Sequence, residues 1–315
     1  ACAQTRAADA VAQDRRREAA LAYLELLEAA PAIAIAEDEL EHTRQLACIT
    51  DAFARTGEGL QSDADRLQTE VALRRNNVLQ AQERLSVASL RLAEVLSLDT
   101  PQQLVPCEVN ITPIDLVPLD ASRQELLRSG LSRCPELKES QCLVAEACER
   151  LQREQYAPLV PSVLLGLSYD GFGGGTGGTI SRFHDRADFD AMAVWEIRNL
   201  GLGERAAREA AGAQVEQARF RQVRLMDRVA REIAEGLTQS QSRRQQVEIA
   251  EQAIATAQAS YERNLQRISQ GQGLPIEALQ AIRALSVERT EYPYAVMKSN
   301  AAQFRLQRAL GWPCG

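Results

Sequence analysis

Apolar residues recur at alternating intervals of three and four along most of the chain, which predicts long amphipathic helices that pack side by side. One helix is predicted from about Ala7 to Arg55, with its seam at Ile33, Ala36, Leu40, Thr43 and Ala47. The next helix, from about Asp63 to Leu96, has the clearest heptad, with large residues spaced seven apart at Val71, Val78, Leu85 and Leu92. Alanine at several intervening positions lets neighbouring helices approach closely.

Glycine interrupts this pattern twice. Thr56-Gly57-Glu58-Gly59 ends the first helix, because glycine adopts backbone angles that other residues resist. A second pair of helices, from about Glu204 to Ser269 and from Ile276 to Leu310, is interrupted at Gly271-Gln272-Gly273-Leu274. Each break therefore predicts the tip of a helical hairpin.

The two hairpins are copies of one unit. Residues 33–67 line up with residues 247–281 at a constant shift, so that Gly57-x-Gly59-Leu60 falls on Gly271-x-Gly273-Leu274. A shared period of this length indicates an internal repeat.

Between the hairpins the period changes from helical to alternating. Leu159 to Tyr169 is apolar without helical charge patterning, and Phe189 to Arg198 alternates apolar and polar residues. With the Gly-rich residues 170–186 between them, these segments predict a β-hairpin. Strands of about ten residues are long enough to cross a bilayer core, and an apolar face opposite a polar face suits a barrel wall between lipid and water.

The predicted fold is therefore mainly α, with long antiparallel coiled-coil hairpins in two repeats and a transmembrane β-hairpin that contributes to an oligomeric barrel. Its five segments are a first hairpin (1–98, tip at 56–62), an extended and short-helix segment (99–135), a helix leading to the membrane (136–158), the β-hairpin (159–199) and a second hairpin (200–311, tip at 270–276). A short helix is predicted from Ser122 to about Gly130, and Pro293 is expected to kink the last helix.

Neither kind of hairpin buries its apolar surface alone. Long helices need lateral neighbours, and two strands leave open edges that a bilayer does not tolerate. We therefore expect a tube closed by oligomerisation, with strands from other copies or from another part of the protein completing the barrel.

The amino-acid composition and net charge favour some classes of protein and partner over others. Aromatic residues make up 4% and charged residues 25% of the chain, which with a heptad period is typical of long helices or coiled coil. The net charge of -7 does not favour nucleic acid as a partner. No run of about 18 apolar residues occurs, so the sequence predicts no transmembrane helix.

The sequence offers no assembled catalytic or metal-binding set, so we expect no enzyme activity, no metal and no cofactor. His42 and His184 have no neighbours at metal-ligand spacing. The seven cysteines are odd in number and form no CxxC, and they are interpreted as scattered small apolar residues. The Gly-rich loop lacks the Lys and the helix start of a phosphate-binding loop, so we expect a mobile extracellular loop.

Four motifs, taken in order, resemble the TolC-like outer membrane efflux proteins over nearly the whole chain. Each is weak alone, but their order and spacing are specific. They are the two glycine tips, each followed by an acidic residue, then Arg133-x-Pro135-Glu136-Leu137 with Cys134 inserted, Tyr156-x-Pro158-x-x-Pro161-Ser162, and Trp195 to Gly203 where the family leaves its barrel for a long helix.

The resemblance implies a homotrimer located in the outer membrane, where its barrel would contact lipid while a helical tube crosses the periplasm. Such proteins are exit ducts of tripartite efflux or type I secretion systems. They conduct substrates passively from an inner-membrane transporter, through a periplasmic adaptor (membrane fusion) protein. The alternative class is a non-channel periplasmic coiled-coil adaptor, which also carries long helical hairpins but would have a compact soluble β-domain.

Two departures from the family pattern stand out. The family carries one β-hairpin per repeat, and this chain has one in all, so we expect that it lacks an upstream part and is a fragment. In a well-studied member of the family, charged residues hold the periplasmic entrance closed. The corresponding positions in this chain are Gly273 and Gln280, so the resemblance does not imply the same closing contacts here.

The resemblance and the repeat together nominate three sets of site residues. The first is an adaptor-docking surface, although turn chemistry alone also explains its glycines: Gly57, Gly59, Leu60, Gly271, Gly273 and Leu274. The second is an acidic entrance ring, or else carboxylates stabilised by helix dipoles: Glu58, Asp63, Asp65 and Glu277. The third is Trp195, as an anchor at the membrane interface or as a packed aromatic in a soluble sheet.

Overall fold

The computed structural model describes residues 2–98, 103–108, 110–173, 184–195, 201–270 and 272–312. Most of these residues are helical. In chain order, the elements of the described residues are α1 (Cys2–Thr56), α2 (Gln61–Val95), α3 (Arg123–Arg133), α4 (Pro135–Tyr156), β1 (Ser162–Phe172), β2 (His184–Val194), α5 (Leu202–Ser269) and α6 (Pro275–Ala309). The predicted mainly-α fold with one antiparallel strand pair is confirmed.

The chain divides into two compact units. The smaller one comprises residues 1–4 and 137–225, and the larger one comprises residues 5–136 and 226–315. The larger unit holds both helical tips, and the smaller unit holds the β-hairpin.

In the larger unit, α1 and α2 pack along the predicted heptad seams. Ala36 and Leu40 of α1 form one buried cluster with Val78 and Ala81 of α2. Closer to the N-terminus of α1, Leu26 packs in a second cluster, whose other buried members are Ala22, Ala29, Ala88 and Leu92. Burial of each leucine stabilises the fold by about 1.5–3 kcal/mol, while the alanines allow the helix axes to approach.

All four long helices share one core near the tips. Leu46 of α1, Leu67 of α2, Tyr261 of α5 and Leu279 of α6 are all buried in it. The predicted α5 seam is largely buried, at Val247, Ala250, Ala257, Tyr261 and Ile268. The repeat therefore folds as two hairpins that bury their apolar rows against each other.

α1 meets the composition criterion for a membrane-crossing helix. An 18-residue window within Ala3–Thr56 has a mean hydropathy of 1.6, although the sequence contains no uninterrupted apolar run of that length and therefore predicts no such helix. A packed core helix meets the same criterion. Leu24 and Leu27 of α1 pack with Val296 of α6, and Leu26 packs with Leu92 of α2, so these apolar residues have partners within the larger unit.

The extended segment after α2 is held by side chains of the long helices rather than by a sheet. Asn300 of α6 accepts a hydrogen bond from the N–H of Ile114 (2.9 Å) and donates one to the carbonyl of Thr112 (2.8 Å). Gln303 accepts from the N–H of Val117 at 2.9 Å. The two buried amides thus supply the partners that a neighbouring strand would supply.

One helix ends later than predicted, and another contains a proline in its interior. α3 begins after Ser122, whose hydroxyl accepts from the N–H of Glu125 in a capping box. It runs to Arg133, three residues beyond the predicted end at Gly130. α6 continues through Pro293 to Ala309 even though proline cannot donate the backbone hydrogen bond to the preceding turn.

In the smaller unit, β1 and β2 form an antiparallel hairpin of 11-residue strands, from Ser162 paired with Val194 to Phe172 paired with His184. Both strands lie closer to the loop than predicted, since residues 170–172 and 184–186 were assigned to the Gly-rich loop. Residues 174–183, at the centre of the predicted extracellular loop, lie outside the described residues.

The interpretation of all the cysteines as scattered small apolar residues is wrong. Cys142 is disulfide-bonded. Cys48 and Cys107 are exposed free thiols, whereas Cys134 is buried and its thiol donates to Oε2 of Glu136 at 2.8 Å.

Candidate functional site

The first helical tip is a tight turn fixed by backbone hydrogen bonds. The N–H groups of Glu58 and Gly59 both donate to the carbonyl of Phe53, at 3.0 Å each. Gly57 has a φ of +79° in the left-handed region, where a residue with a Cβ is strained. Leu60 then takes an extended conformation (φ -88°, ψ 133°) as the residue before α2.

The second tip repeats this geometry. The N–H groups of Gln272 and Gly273 both donate to the carbonyl of Arg267, at 2.9 and 3.2 Å. Leu274 precedes α6 with a φ of -89° and a ψ of 136°, almost the angles of Leu60. Gly271, the counterpart of Gly57, lies outside the described residues.

Gly273 allows a close approach inside its own tip. A Cβ on this residue would lie 2.9 Å from Cγ1 of Ile268, which is itself buried in the core under the tips. The glycine therefore lets the turn fold back onto the end of α5, so turn chemistry accounts for this residue.

The two tips lie side by side and line one open cleft of about 390 Å³. Its walls combine apolar and polar residues from both hairpins: Thr50, Phe53, Glu58, Gly59, Leu60, Asp63, Ile268, Gln272, Gly273, Leu274 and Pro275. Of the predicted docking residues, the structure thus brings Gly59, Leu60, Gly273 and Leu274 together in one place.

Leu60 and Leu274 both expose most of their surface, 67% and 60% respectively. Neither is a member of the buried cluster that holds Leu67 and Leu279, only a few residues further along each helix. An apolar side chain exposed at the same position of both repeats is not explained by packing within the chain.

The four predicted acidic residues differ in their environments. Glu58 is exposed in the turn, and Asp63 is half-buried in the first turn of α2. Asp65 accepts a hydrogen bond from Gln61 at 3.0 Å. Glu277 pairs with Arg267 at 3.2 Å, so part of its charge is compensated, although exposed ion pairs of this kind leave substantial field in the surrounding water.

The β-hairpin has two chemically distinct faces. Because residues directly opposite one another point to the same face, one face carries an apolar row of Val163, Leu165, Leu167 and Tyr169 of β1 opposite Ala193, Ala191, Phe189 and Ala187 of β2. Leu167 is 81% exposed, and the strand is exposed along its whole length. This apolar face has no protein partner within the described residues.

The other face of the hairpin is polar toward the loop. It pairs Gly166 with Asp190, Ser168 with Asp188 and Asp170 with Arg186. Arg186 bonds Asp188 at 2.8 Å along the same strand. Toward the other end, the same face carries Leu164 and Met192, and at the loop end it carries Phe172 opposite His184, so its polar part lies between these apolar residues.

Trp195 directly follows β2 and is 61% exposed. Its ring is therefore not packed against the part of the chain that the structure describes. Residues 196–200, the next part of the motif that it begins, lie outside the described residues.

The larger unit contains an ion cluster around the buried Arg308, for which the sequence gives no clear signal. Arg308 of α6 bonds Asp14 of α1 at 2.9 Å and also bonds Glu136, the acidic residue of the Arg133-x-Pro135-Glu136-Leu137 motif. Burial raises the pKa of Glu136, but hydrogen bonds from Arg308 and Cys134 outweigh it and lower that pKa. The sequence does place polar residues, such as Asn300 and Gln303, at seam positions of α6, and this pattern indicates in general that the helix makes polar contacts on its buried face.

Nothing in the described part of the chain suggests a metal centre, since its His, Cys, Asp and Glu side chains form no group of three or more.

Comparison with known proteins gives matches in structure and none in sequence. No protein-family model matches the chain, and no curated protein matches it. A membrane protein from Pseudomonas aeruginosa superposes with a TM-score of 0.81 at 19% identity, over 98% of this chain and 71% of that protein. CusC, whose structures concern folding and transmembrane channel formation, superposes with a TM-score of 0.81 at 19% identity, over 99% and 71%.

The outer-membrane channel OprN superposes with a TM-score of 0.77 at 20% identity, over 99% of this chain and 69% of that protein. At these identities the likeness establishes the fold. The predicted resemblance is confirmed at that level: this chain has the fold of known outer membrane channel structures.

Proposed function

We propose that the protein forms an outer membrane channel, the exit duct of a tripartite efflux or secretion system, which conducts substrates passively and catalyses no reaction. One observation carries this proposal. The β-hairpin of 11-residue strands presents a face that is apolar from Val163 to Tyr169 and a face that is largely polar, which is the pattern of a barrel wall between lipid and water.

The open edges of the hairpin favour assembly. A two-stranded sheet exposes unpaired N–H and C=O groups on both sides, and each unsatisfied group costs several kcal/mol in a bilayer. Strands from further copies would satisfy them. A homotrimer, the state that the family resemblance implies, would also bring the tips of three copies to one periplasmic opening.

The paired tips are proposed as the docking surface for a periplasmic adaptor protein that connects the channel to an inner-membrane transporter. Leu60 and Leu274 support this role, because both are exposed beside one cleft in equivalent conformations. Gly57, Gly59, Gly271 and Gly273 would shape the turns that present them. Exposed apolar residues in a concave site are typical of protein contacts.

The acidic residues at the tips are proposed as an entrance that favours cations. Glu58 and Asp63 face the cleft, Glu277 lies in the first turn of α6, and Asp65 follows just after the first turn of α2. Rings of carboxylates attract cations at the mouths of channels. Their interaction with the helix dipole contributes to stability at the same time.

Trp195 is proposed as an interface anchor, because its exposed ring follows the last residue of β2 and aromatic side chains prefer the boundary between lipid and water.

The decisive experiment is to reconstitute the detergent-purified protein into planar lipid bilayers and record single-channel currents. Stepwise conductance that requires the β-hairpin is expected, and a variant without residues 162–194 serves as the control. A protein that is soluble without detergent and gives no conductance would instead favour the alternative class, a periplasmic coiled-coil adaptor.

A further inference from the structure

Glu25 and Glu28 of α1 lie one helical turn apart. They are at the boundary between the face of α1 that packs on α2 and the face that packs on α6. Leu24 and Leu27 belong to the cluster that α1 forms with α6, whereas Leu26 belongs to the cluster with α2. Glu25 and Glu28 follow directly after members of these faces. Residues three apart are neighbours on a helix surface, so the two carboxylates repel one another when both are charged.

These carboxylates line a solvent-open cavity of about 640 Å³. Charged groups of three helices surround Glu28: Glu25 from α1, Glu83, Arg84 and Arg91 from α2, and Glu291 and Lys298 from α6. The site therefore collects charges of both signs where the first hairpin meets α6.

The two glutamates differ in their pairing. Nη1 of Arg91 lies 3.4 Å from Oε2 of Glu25. Glu28 is half-buried and makes no hydrogen bond or ion pair with the residues that the structure describes. A half-buried carboxylate without a direct partner is costly in its charged form.

We propose that the cluster around Glu28 is a proton-sensitive joint between the first hairpin and α6. With a proton from the solvent, the Glu28 side chain is neutral and compatible with its half-buried place. Without that proton, a negative charge joins Glu25 and Glu291 at the seam and weakens the contact between α1 and α6. The joint is therefore tighter at acidic pH and looser at neutral pH.

The electrostatics agree with this direction. Burial raises the pKa of Glu28, and the nearby charges of Glu25 and Glu291 raise it further, whereas Arg84 and Lys298 lower it; the net effect is a pKa above the ordinary value of 4.5. A raised pKa in the folded state means that the stability contributed by Glu28 is complete below about pH 4.5 and is lost as the pH rises through the raised pKa.

The joint concerns the packing of α1 on α6 and goes beyond the proposed channel function. Its test needs no conductance measurement, so failure of the channel proposal and failure of the joint are distinguishable.

The test compares the thermal unfolding midpoint of the full-length chain, purified in detergent, with that of the E28Q variant between pH 4 and pH 8. Glutamine keeps the shape of protonated glutamate and carries no charge. We expect the two midpoints to coincide near pH 4, and the variant to unfold at a progressively higher temperature than the wild type as the pH rises. The matched control is E37Q, an exposed glutamate on the same helix, which we expect to show no such divergence.

Hydrogen exchange distinguishes the proposed joint from a packing role of Glu28 that does not change with pH. Protection factors of amides in residues 21–30 and 292–301, corrected for intrinsic exchange rates, should fall in the wild type as the pH rises and should stay level in E28Q. E291Q removes a neighbouring charge from α6 and should shift the fall to lower pH. A difference between wild type and E28Q that is constant with pH, or one that E37Q reproduces, would overturn the proposal.

Discussion

Glu70 of α2 and Arg283 of α6 form an ion pair that links the two helical hairpins. Glu70 is only 8% exposed, and it also bonds Arg74 at 3.0 Å, which in turn pairs with Glu39 of α1. Ion pairs therefore connect α1, α2 and α6 at a place where the predicted heptad seams would supply only apolar contacts.

A double-mutant cycle of E70Q and R283Q is expected to give a coupling energy at the upper part of the range of about 0.5–3 kcal/mol that contacting residues show, because Glu70 is buried. The measurement is the free energy of denaturant unfolding in detergent. The control cycle uses the exposed pair Arg15 and Glu18, at 2.8 Å, for which about 0–1 kcal/mol is expected. Equal couplings in the two cycles would contradict the assignment.

The variant N300A is expected to lower the free energy of unfolding by about 1–3 kcal/mol, because it leaves the N–H of Ile114 and the carbonyl of Thr112 without the partners they have in the fold. Replacing the exposed Gln280 on the same helix by alanine should change stability by less than about 0.5 kcal/mol. If both substitutions cost the same, Asn300 does not hold the extended segment.

Sequence periodicity located the helices and their buried faces well, since a heptad records local packing directly. Val78 and Leu92, predicted from spacing alone, are buried on the face that meets α1. The first tip was also predictable from local sequence, because Gly57 has a positive φ that few residues other than glycine adopt.

Contacts between distant parts of the chain were beyond this reasoning. Asn300 lies 186 residues from Ile114, and nothing in either local sequence specifies the other. The strand ends were misplaced for a related reason: residues 170–172 and 184–186 have the composition of a loop, yet they continue the antiparallel pairing of the strands up to Phe172 opposite His184.

Replacing both Leu60 and Leu274 by glutamate is expected to weaken binding of the cognate adaptor by about 10-fold or more, because two exposed apolar contacts beside one cleft would be lost. Binding to immobilised adaptor, measured by surface plasmon resonance, provides the readout. L79E serves as the control, since Leu79 is 60% exposed on α2 away from the tip cleft. Unchanged affinity in the tip variant would rule out docking through these leucines.

Neutralising Glu58, Asp63, Asp65 and Glu277 to their amides is expected to lower the ratio of cation to anion permeability, because fewer negative charges would remain at the entrance. E277Q alone should have a marked effect, since it also frees the positive charge of Arg267. Reversal potentials across a salt gradient give the ratio. E37Q combined with E94Q removes two exposed charges away from the tips and is the charge-matched control for E58Q combined with E277Q. Equal permeability ratios in these two double variants would contradict a role of the tip carboxylates in cation preference.

The two faces of the β-hairpin can be separated by neighbouring substitutions. Arginine at Leu167 would place a charge on the apolar face, where a mid-membrane arginine costs about 2–4 kcal/mol. Arginine at Ser168 would place the same charge on the face shared with Asp188 and Asp170, where water and carboxylates can accommodate it. We therefore expect L167R to lose heat-resistant assembly in outer membrane fractions, and S168R to retain assembly while its single-channel conductance changes. If the two variants behaved alike, the apolar face would not be in contact with lipid.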